Sequence, residues 1–244
     1  MTVFIVGDSH VATLKIAYAH DEAHFRAIVP ADLQFLMFGA ATALYEPFFI
    51  DDGDRIRITI DGVMERADRF QDGTGSLTFP EGAVFIVSAG LHTSSILLGR
   101  TWAQHALWRT KAASNRSAMS DAVFRAIVLH THQHVLAFIA AVRRRAQSVH
   151  VLSAPPPSER FALFGLGYDR EDVLIMDDAV RSIMRAEIAR LGVDVIEPPD
   201  GGAANGLLRS EFLMEDSKDR HHGNADYSKM ALEKTLAHIL AATR

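Results

Sequence analysis

A serine, a histidine and an aspartate that stand far apart in this chain have the types and local settings that nucleophilic catalysis needs. Ser9 belongs to "VGDSH", where an apolar run ends at Gly7 and a helix-patterned segment begins. A serine hydroxyl attacks a carbonyl only when a base removes its proton, and that base works best when a third group orients it. The stretch "DSKDRHHGNADYSKMAL" supplies such a pair, because Asp219 precedes His222 by three residues. A tight turn at that spacing brings the carboxylate to one imidazole nitrogen and leaves the other facing outward. Gly223 permits the turn, and Asn224 is a suitable cap for the last helix. His221 competes for the role, but the three-residue spacing from Asp219 belongs to His222. Read alone, Ser9 is a helix-capping serine and His222 a solvated loop residue; the combination points to a nucleophile and its base.

These residues need a scaffold that brings the two ends of the chain together. Apolar, β-branched-rich runs predict strands at residues 2–6, 32–38, 83–87, 149–152 and 193–196. Between them, 3.6-residue periodicity predicts helices over 10–19, 120–142 (capped by Ser120) and 172–191 (closed by Gly192), with a final helix after Asn224. Alternation of strands and helices implies an α/β fold with a parallel sheet covered on both faces. Ligands bind such sheets beyond the carboxyl ends of the strands, where Ser9 falls with its N–H at a helix start. Two stretches break the rhythm. Around 50–80, "RIRITIDG" predicts a small β-hairpin insertion, and 99–117 reads as a polar excursion above the sheet. No linker divides the chain, so a single domain spanning 1–244 is expected.

The Gly-Asp-Ser after the first strand, with Asp-x-x-His before the last helix, resembles the SGNH (GDSL-type) hydrolase family. "DRHHGNADY" is similar to that family's ending of Asp-x-x-His-x-Asn followed by an aromatic residue, here Tyr227. The resemblance implies a flavodoxin-like three-layer α/β/α sandwich with a five-stranded parallel sheet, and a serine ester hydrolase working through an acyl-enzyme. It implies Ser9 as nucleophile, Asp219 as orienting acid and His222 as base. It also implies an oxyanion hole built from the Ser9 N–H, Gly39 in "FLMFGA", and a residue of a Gly-x-Asn-Asp block. That block reads Gly90-Leu91-His92-Thr93 here, so His92 stands where the asparagine belongs. A neutral imidazole has one N–H with which to replace the amide. The family-level substrate is a short acyl ester of a carbohydrate or small polar molecule. An O-acyltransferase of the same fold and a catalytically silent ligand-binding protein are the alternatives.

Other candidates carry less. Asp8 is expected to tie down the turn after the first strand, and with His10 to border the substrate. Trp102 and His105, near Trp108 and Arg109, offer a wall or lid on which a sugar can stack. His130 and His134 lack the glutamate of an HExxH pattern, Asp51-Asp52-Gly53-Asp54 lacks the distal glutamate of a calcium loop, and Asp216 with His221 and His222 is explained by the triad. No cofactor or metal is expected.

Composition narrows the partners. The 244 residues are 48% apolar and 23% charged with a net charge of −5, which disfavours a nucleic-acid partner. Arg143-Arg144-Arg145 reads as a solvated helix end. Cysteine is absent, removing disulfides and thiol chemistry. The first residues lack a basic leader and no apolar run reaches membrane-spanning length, so no membrane association and cytoplasmic residence are expected.

Overall fold

Five parallel strands form the central sheet in the computed structural model, which describes residues 1–60 and 75–242. They are β1 (Thr2–Gly7), β2 (Asp32–Met37), β3 (Val84–Ser88), β4 (Ser148–Leu152) and β5 (Asp194–Ile196). Their order is β5-β4-β3-β1-β2, with every neighbouring pair parallel. The five strand expectations match to within a residue or so at each end. The alternation along each strand assigns its two faces. Phe4, Val6, Phe85 and Val87 enter one hydrophobic cluster, while Val3, Ile5, Val84 and Ile86 enter the other.

Helices cover both faces, giving the expected three layers. On the first side lie α3 (Asp121–Arg143) and α4 (Arg170–Arg190), which bury Phe124, Val128, Phe138, Met176 and Val180. On the second lie α1 (His10–His20), α2 (Glu22–Ile28) and α5 (Ala225–Ala242), contributing Val11, Leu14, Phe25, Leu232 and Leu236. Each large apolar side chain buried this way contributes about 1.5–3 kcal/mol. Contrary to the expectation for apolar runs, α3 is long and apolar enough to cross a membrane, with a mean hydropathy of 1.2. Here it lays that apolar side on the sheet.

The caps show how local sequence sets the ends. Ser120 Oγ accepts from the Val123 N–H, and Asn224 Oδ1 accepts from the Tyr227 N–H at 3.1 Å. Helix α4 starts two residues before the predicted Asp172, because Asp169 is its cap and accepts from the Asp172 N–H. The buried Asp172 carboxylate instead takes the Lys111 and Ala112 N–H groups at 2.7 and 2.9 Å, anchoring the excursion to α4.

The first irregular stretch holds the expected small β-hairpin, extended by a third strand, and the second carries a short strand pair of its own. The insertion is a three-stranded antiparallel sheet of Phe49–Asp51, Ile56–Ile58 and Ser76–Leu77. The "RIRITI" strand pairs backwards with Phe49–Asp51, so the acidic tetrad is its turn, with the Gly53 N–H donating to Asp51 Oδ1. The Asp61-Gly62 turn of the predicted hairpin lies outside the described residues. Arg143 and Arg144 are exposed at the helix end as expected, but Arg144 and the largely covered Arg145 both bind the Asp51 carboxylate, and Arg145 also donates to the Gly53 carbonyl at 2.7 Å. In the excursion, His105–Leu107 pairs in parallel with Ser117–Met119. Trp102 is not a substrate wall, being 2% exposed, packed on Phe124 and donating its indole N–H to the Ile96 carbonyl. Its bulk and apolar neighbours draw it into the core.

Candidate active site

Chain order β1, β2, β3 runs outward from β1 to β2 and then crosses to β1's other side, making a switch point at which the loops after β1 and β3 part. Strand β1 is drawn close to β3 there. A Cβ on Gly7, whose φ is +147°, would sit 2.2 Å from the Ser88 carbonyl oxygen, so no other residue fits. The Asp8 N–H donates to that same carbonyl at 3.1 Å, and the Phe38 N–H donates to the Gly7 carbonyl at 2.7 Å. These bonds lock the ends of β1, β2 and β3 in register and hold the turn that carries Ser9.

Ser9 stands at the cap position of α1, yet its side chain makes no capping bond. Asp8 takes that work: its Oδ1 accepts from the His10 N–H at 3.0 Å. The Ser9 hydroxyl instead lies 2.8 Å from His222 Nε2, and His222 Nδ1 lies 2.8 Å from Asp219 Oδ2. A carboxylate only accepts, so the imidazole proton sits on Nδ1 and Nε2 is left to accept from Ser9. The structure thus brings Ser9, His222 and Asp219 into one hydrogen-bonded chain.

The loop holding the acid and base is fixed from several sides. Asp219 Oδ1 accepts from the His221 and His222 N–H groups at 3.2 and 3.0 Å, making the predicted tight turn. Leu213 bridges to Gly223, and the Asn224 N–H donates to the Phe212 carbonyl. A Cβ on Gly223 would lie 2.6 Å from the Tyr227 ring, so the loop closes over that aromatic only with glycine there. Ser158 Oγ donates to the Arg220 carbonyl, and Arg160 donates to the Met214 carbonyl. Sequence reasoning missed Ser158 and Arg160; neither carries a local signal. His221 points elsewhere: its Nδ1 is 4.0 Å from Asp219, and its carbonyl faces His10 Nε2 at 3.4 Å.

Four imidazoles crowd this rim. His10 packs against His92 and His222 with ring centroids 4.4 and 4.6 Å apart, and His221 lies 4.1 Å from His222 and 5.0 Å from His92. Beneath them is the buried Asp8, whose Oδ1 meets His10 Nδ1 at 2.9 Å and whose Oδ2 lies 3.6 Å from His92 Nδ1. Asp8, expected to tie down the turn and with His10 to border the substrate, holds that turn and forms with His10 a second aspartate–histidine pair under the first. Their recognisable signal was adjacency to Ser9.

Crowding sets the protonation states. Burial alone would raise the Asp8 carboxyl, but the His10 and His92 imidazoles override it and hold Asp8 far below the usual range. Burial and then His10 push His92 down to about 3. Burial, His222 and His10 push His221 down to about 4. Burial and His10 also lower His222, against the opposing pull of Asp219. Burial opposes ionisation of Asp219, but the His222 N–H and imidazole prevail and lower it. A neutral base beside an ionised acid is the combination that can take a proton from Ser9.

Two backbone N–H groups suit a developing oxyanion. Among the described residues, those of Ser9 and Gly39 donate to no protein acceptor. His92 does not fit the third donor position expected of it: its Nε2 meets Ser94 Oγ and its Nδ1 faces Asp8. Asp8 and Ser94 draw it into the protein, so neither ring nitrogen is turned outward. His105 stays on the excursion, with Nδ1 against the Thr101 carbonyl.

No family model matches the sequence, and no curated protein matches it. Solved structures do share its architecture. A candidate acylhydrolase from Bacteroides fragilis aligns with a TM-score of 0.50 at 7% identity, over 100% of this chain and 88% of that one. A candidate SGNH hydrolase from Slackia heliotrinireducens aligns with a TM-score of 0.50 at 10% identity, over 98% of both chains. The chain has the three-layer fold of the SGNH (GDSL-type) hydrolases.

Proposed function

We propose that this protein is a serine ester hydrolase. The observation that carries the reading is the Ser9–His222–Asp219 chain, with both links at 2.8 Å. Ser9 Oγ attacks the ester carbonyl carbon while its proton passes to His222 Nε2. The resulting oxyanion is held by the Ser9 and Gly39 N–H groups. Collapse expels the alcohol, which leaves with the proton from His222, and Ser9 keeps the acyl group. Water then attacks the acyl-enzyme, giving its proton to His222; the carboxylic acid departs and Ser9 recovers its hydrogen. Asp219 holds the imidazole in the Nδ1–H tautomer and offsets its transient charge.

The substrate we favour is a short acyl ester of a carbohydrate or other small polar molecule. A rim of imidazoles and backbone amides suits a polar alcohol better than a long acyl chain. The two fold relatives, described as an acylhydrolase and an SGNH hydrolase, agree with ester chemistry. Fluorophosphonate labelling with peptide mapping tests the assignment. The modification is expected on the peptide containing Ser9 and to vanish in Ser9→Ala; a protein that resists the reagent, or is labelled elsewhere, rules it out.

A further inference from the structure

A second group of ligating side chains lies among β4, β5 and α5. His150 and Asp194 are register partners on the parallel pair β4 and β5, so their side chains leave the sheet on the same face, towards α5. His238, in the last turns of α5, comes down onto them. Its Nε2 lies 3.3 Å from His150 Nδ1, the rings meeting edge to face at 83°. Asp194 Oδ2 lies 4.0 Å from His150 Nδ1. All three ligand atoms fall within 4.8 Å of one another.

We propose that His150 Nδ1, His238 Nε2 and Asp194 form a binding site for a divalent cation of the zinc class, with water completing the shell. Metal–nitrogen bonds of about 2.0–2.1 Å in a tetrahedron place two ligating nitrogens roughly 3.3 Å apart, which is the separation of the two imidazoles. Asp194 stands slightly too far, but its side chain is 76% exposed, so a rotation brings an oxygen in. Burial decides which nitrogen ligates. His150 is 4% exposed, and its Nε2 meets no partner among the described residues, so only Nδ1 faces other ligands. Two nitrogens and one carboxylate favour zinc or cobalt over the oxygen-seeking magnesium and calcium. The ion would clamp β5, a three-residue edge strand, to the C-terminal helix, and would enter from the exposed Asp194 side. The competing arrangement is a plain hydrogen bond between the two imidazoles.

Titration of the full chain with Co2+, followed by the visible ligand-field bands of a tetrahedral site, separates the two. The bands are expected in the wild type and in Ser9→Ala, and are expected to disappear in His238→Gln. Saturating Zn2+, at about 100-fold above its Kd, is expected to raise the wild-type Tm by roughly 5–10 °C and to leave His238→Gln unmoved. Asp194→Asn, on the surface, is expected to weaken Zn2+ binding about tenfold or more without lowering the metal-free Tm. No cobalt spectrum in the wild type, or an undiminished one in His238→Gln, would overturn the site; the second result would place the ion at the histidines around Ser9.

Discussion

Ser9 Oγ and His222 Nε2 stand 2.8 Å apart although 213 positions separate them in sequence. Neither depends on the other for its place, since Ser9 rides on a turn pinned through Asp8 and His222 on a turn pinned through Asp219. Ser9→Ala should therefore remove activity without disturbing the fold. Hydrolysis of a p-nitrophenyl ester is expected to fall by at least about 10⁴-fold, while thermal unfolding moves by no more than roughly 2 °C. Equal turnover by both proteins would refute the nucleophile.

The acid and the base are expected to differ in what their loss costs. His222→Ala removes the proton acceptor and should lower kcat by on the order of 10⁶-fold. Asp219→Asn keeps the geometry but offers the wrong tautomer, at a cost of about 10⁴-fold. Indistinguishable rates for the two variants and the wild type would contradict the triad.

Because burial and His10 lower the His222 pKa, the base stays neutral to a lower pH than a free imidazole. Protonation removes its lone pair, so kcat/KM should decline as pH falls through a midpoint below the free-imidazole value of 6.5. A midpoint at pH 7 or above would show that another group controls the rate.

The same crowding makes the fold sensitive to acid. His92 and His221 titrate at about 3 and about 4 in the folded chain, against 6.5 when unfolded. Between those limits the unfolded chain binds more protons, so unfolding free energy rises with pH across that window and levels off above 6.5. Urea unfolding at a series of pH values should give a stability that is flat near neutrality and falls steadily from pH 6.5 towards 4. A flat profile across that interval would mean that the imidazoles are not held neutral by the fold.

His92 tests the oxyanion hole. A true donor there would cost roughly 10²–10³-fold in kcat on removal. With its nitrogens facing Ser94 and Asp8, His92→Ala is expected to lower kcat by less than about tenfold, while lowering the Tm through the buried gap it leaves. Steady-state kinetics beside a thermal melt would distinguish the two losses.

The parts legible in the sequence were those set by short-range rules. Apolar runs between glycines marked the five strands, and Ser120, Gly192 and Asn224 marked helix ends. Asp219 and His222 could be paired because a three-residue turn is local geometry. What the sequence left unread depends on long-range packing. Trp102 looked like a rim aromatic because its neighbours are polar, and only the contact with Phe124 shows it to be core. The periodicity placed the start of α4 at Asp172, two residues late, because the Asp172 carboxylate is claimed by Lys111 and Ala112 from a distant stretch and Asp169 is the cap. His10, His92 and His221 lie in three separate stretches, so nothing along the chain announces that they share one rim.

The bridge between Leu213 and Gly223 gives the loop a closed neck, and Asp219 and His222 travel together on the ring above it. Their mutual geometry is written within four consecutive residues, independent of how much chain precedes them inside the ring. Between Met214, held by Arg160, and Asp216, whose carbonyl takes the Asp219 N–H, Glu215 is thus a place where length can be gained with the proton-handling pair intact. A designer seeking to admit a different alcohol has there a segment to rebuild like an interchangeable cassette.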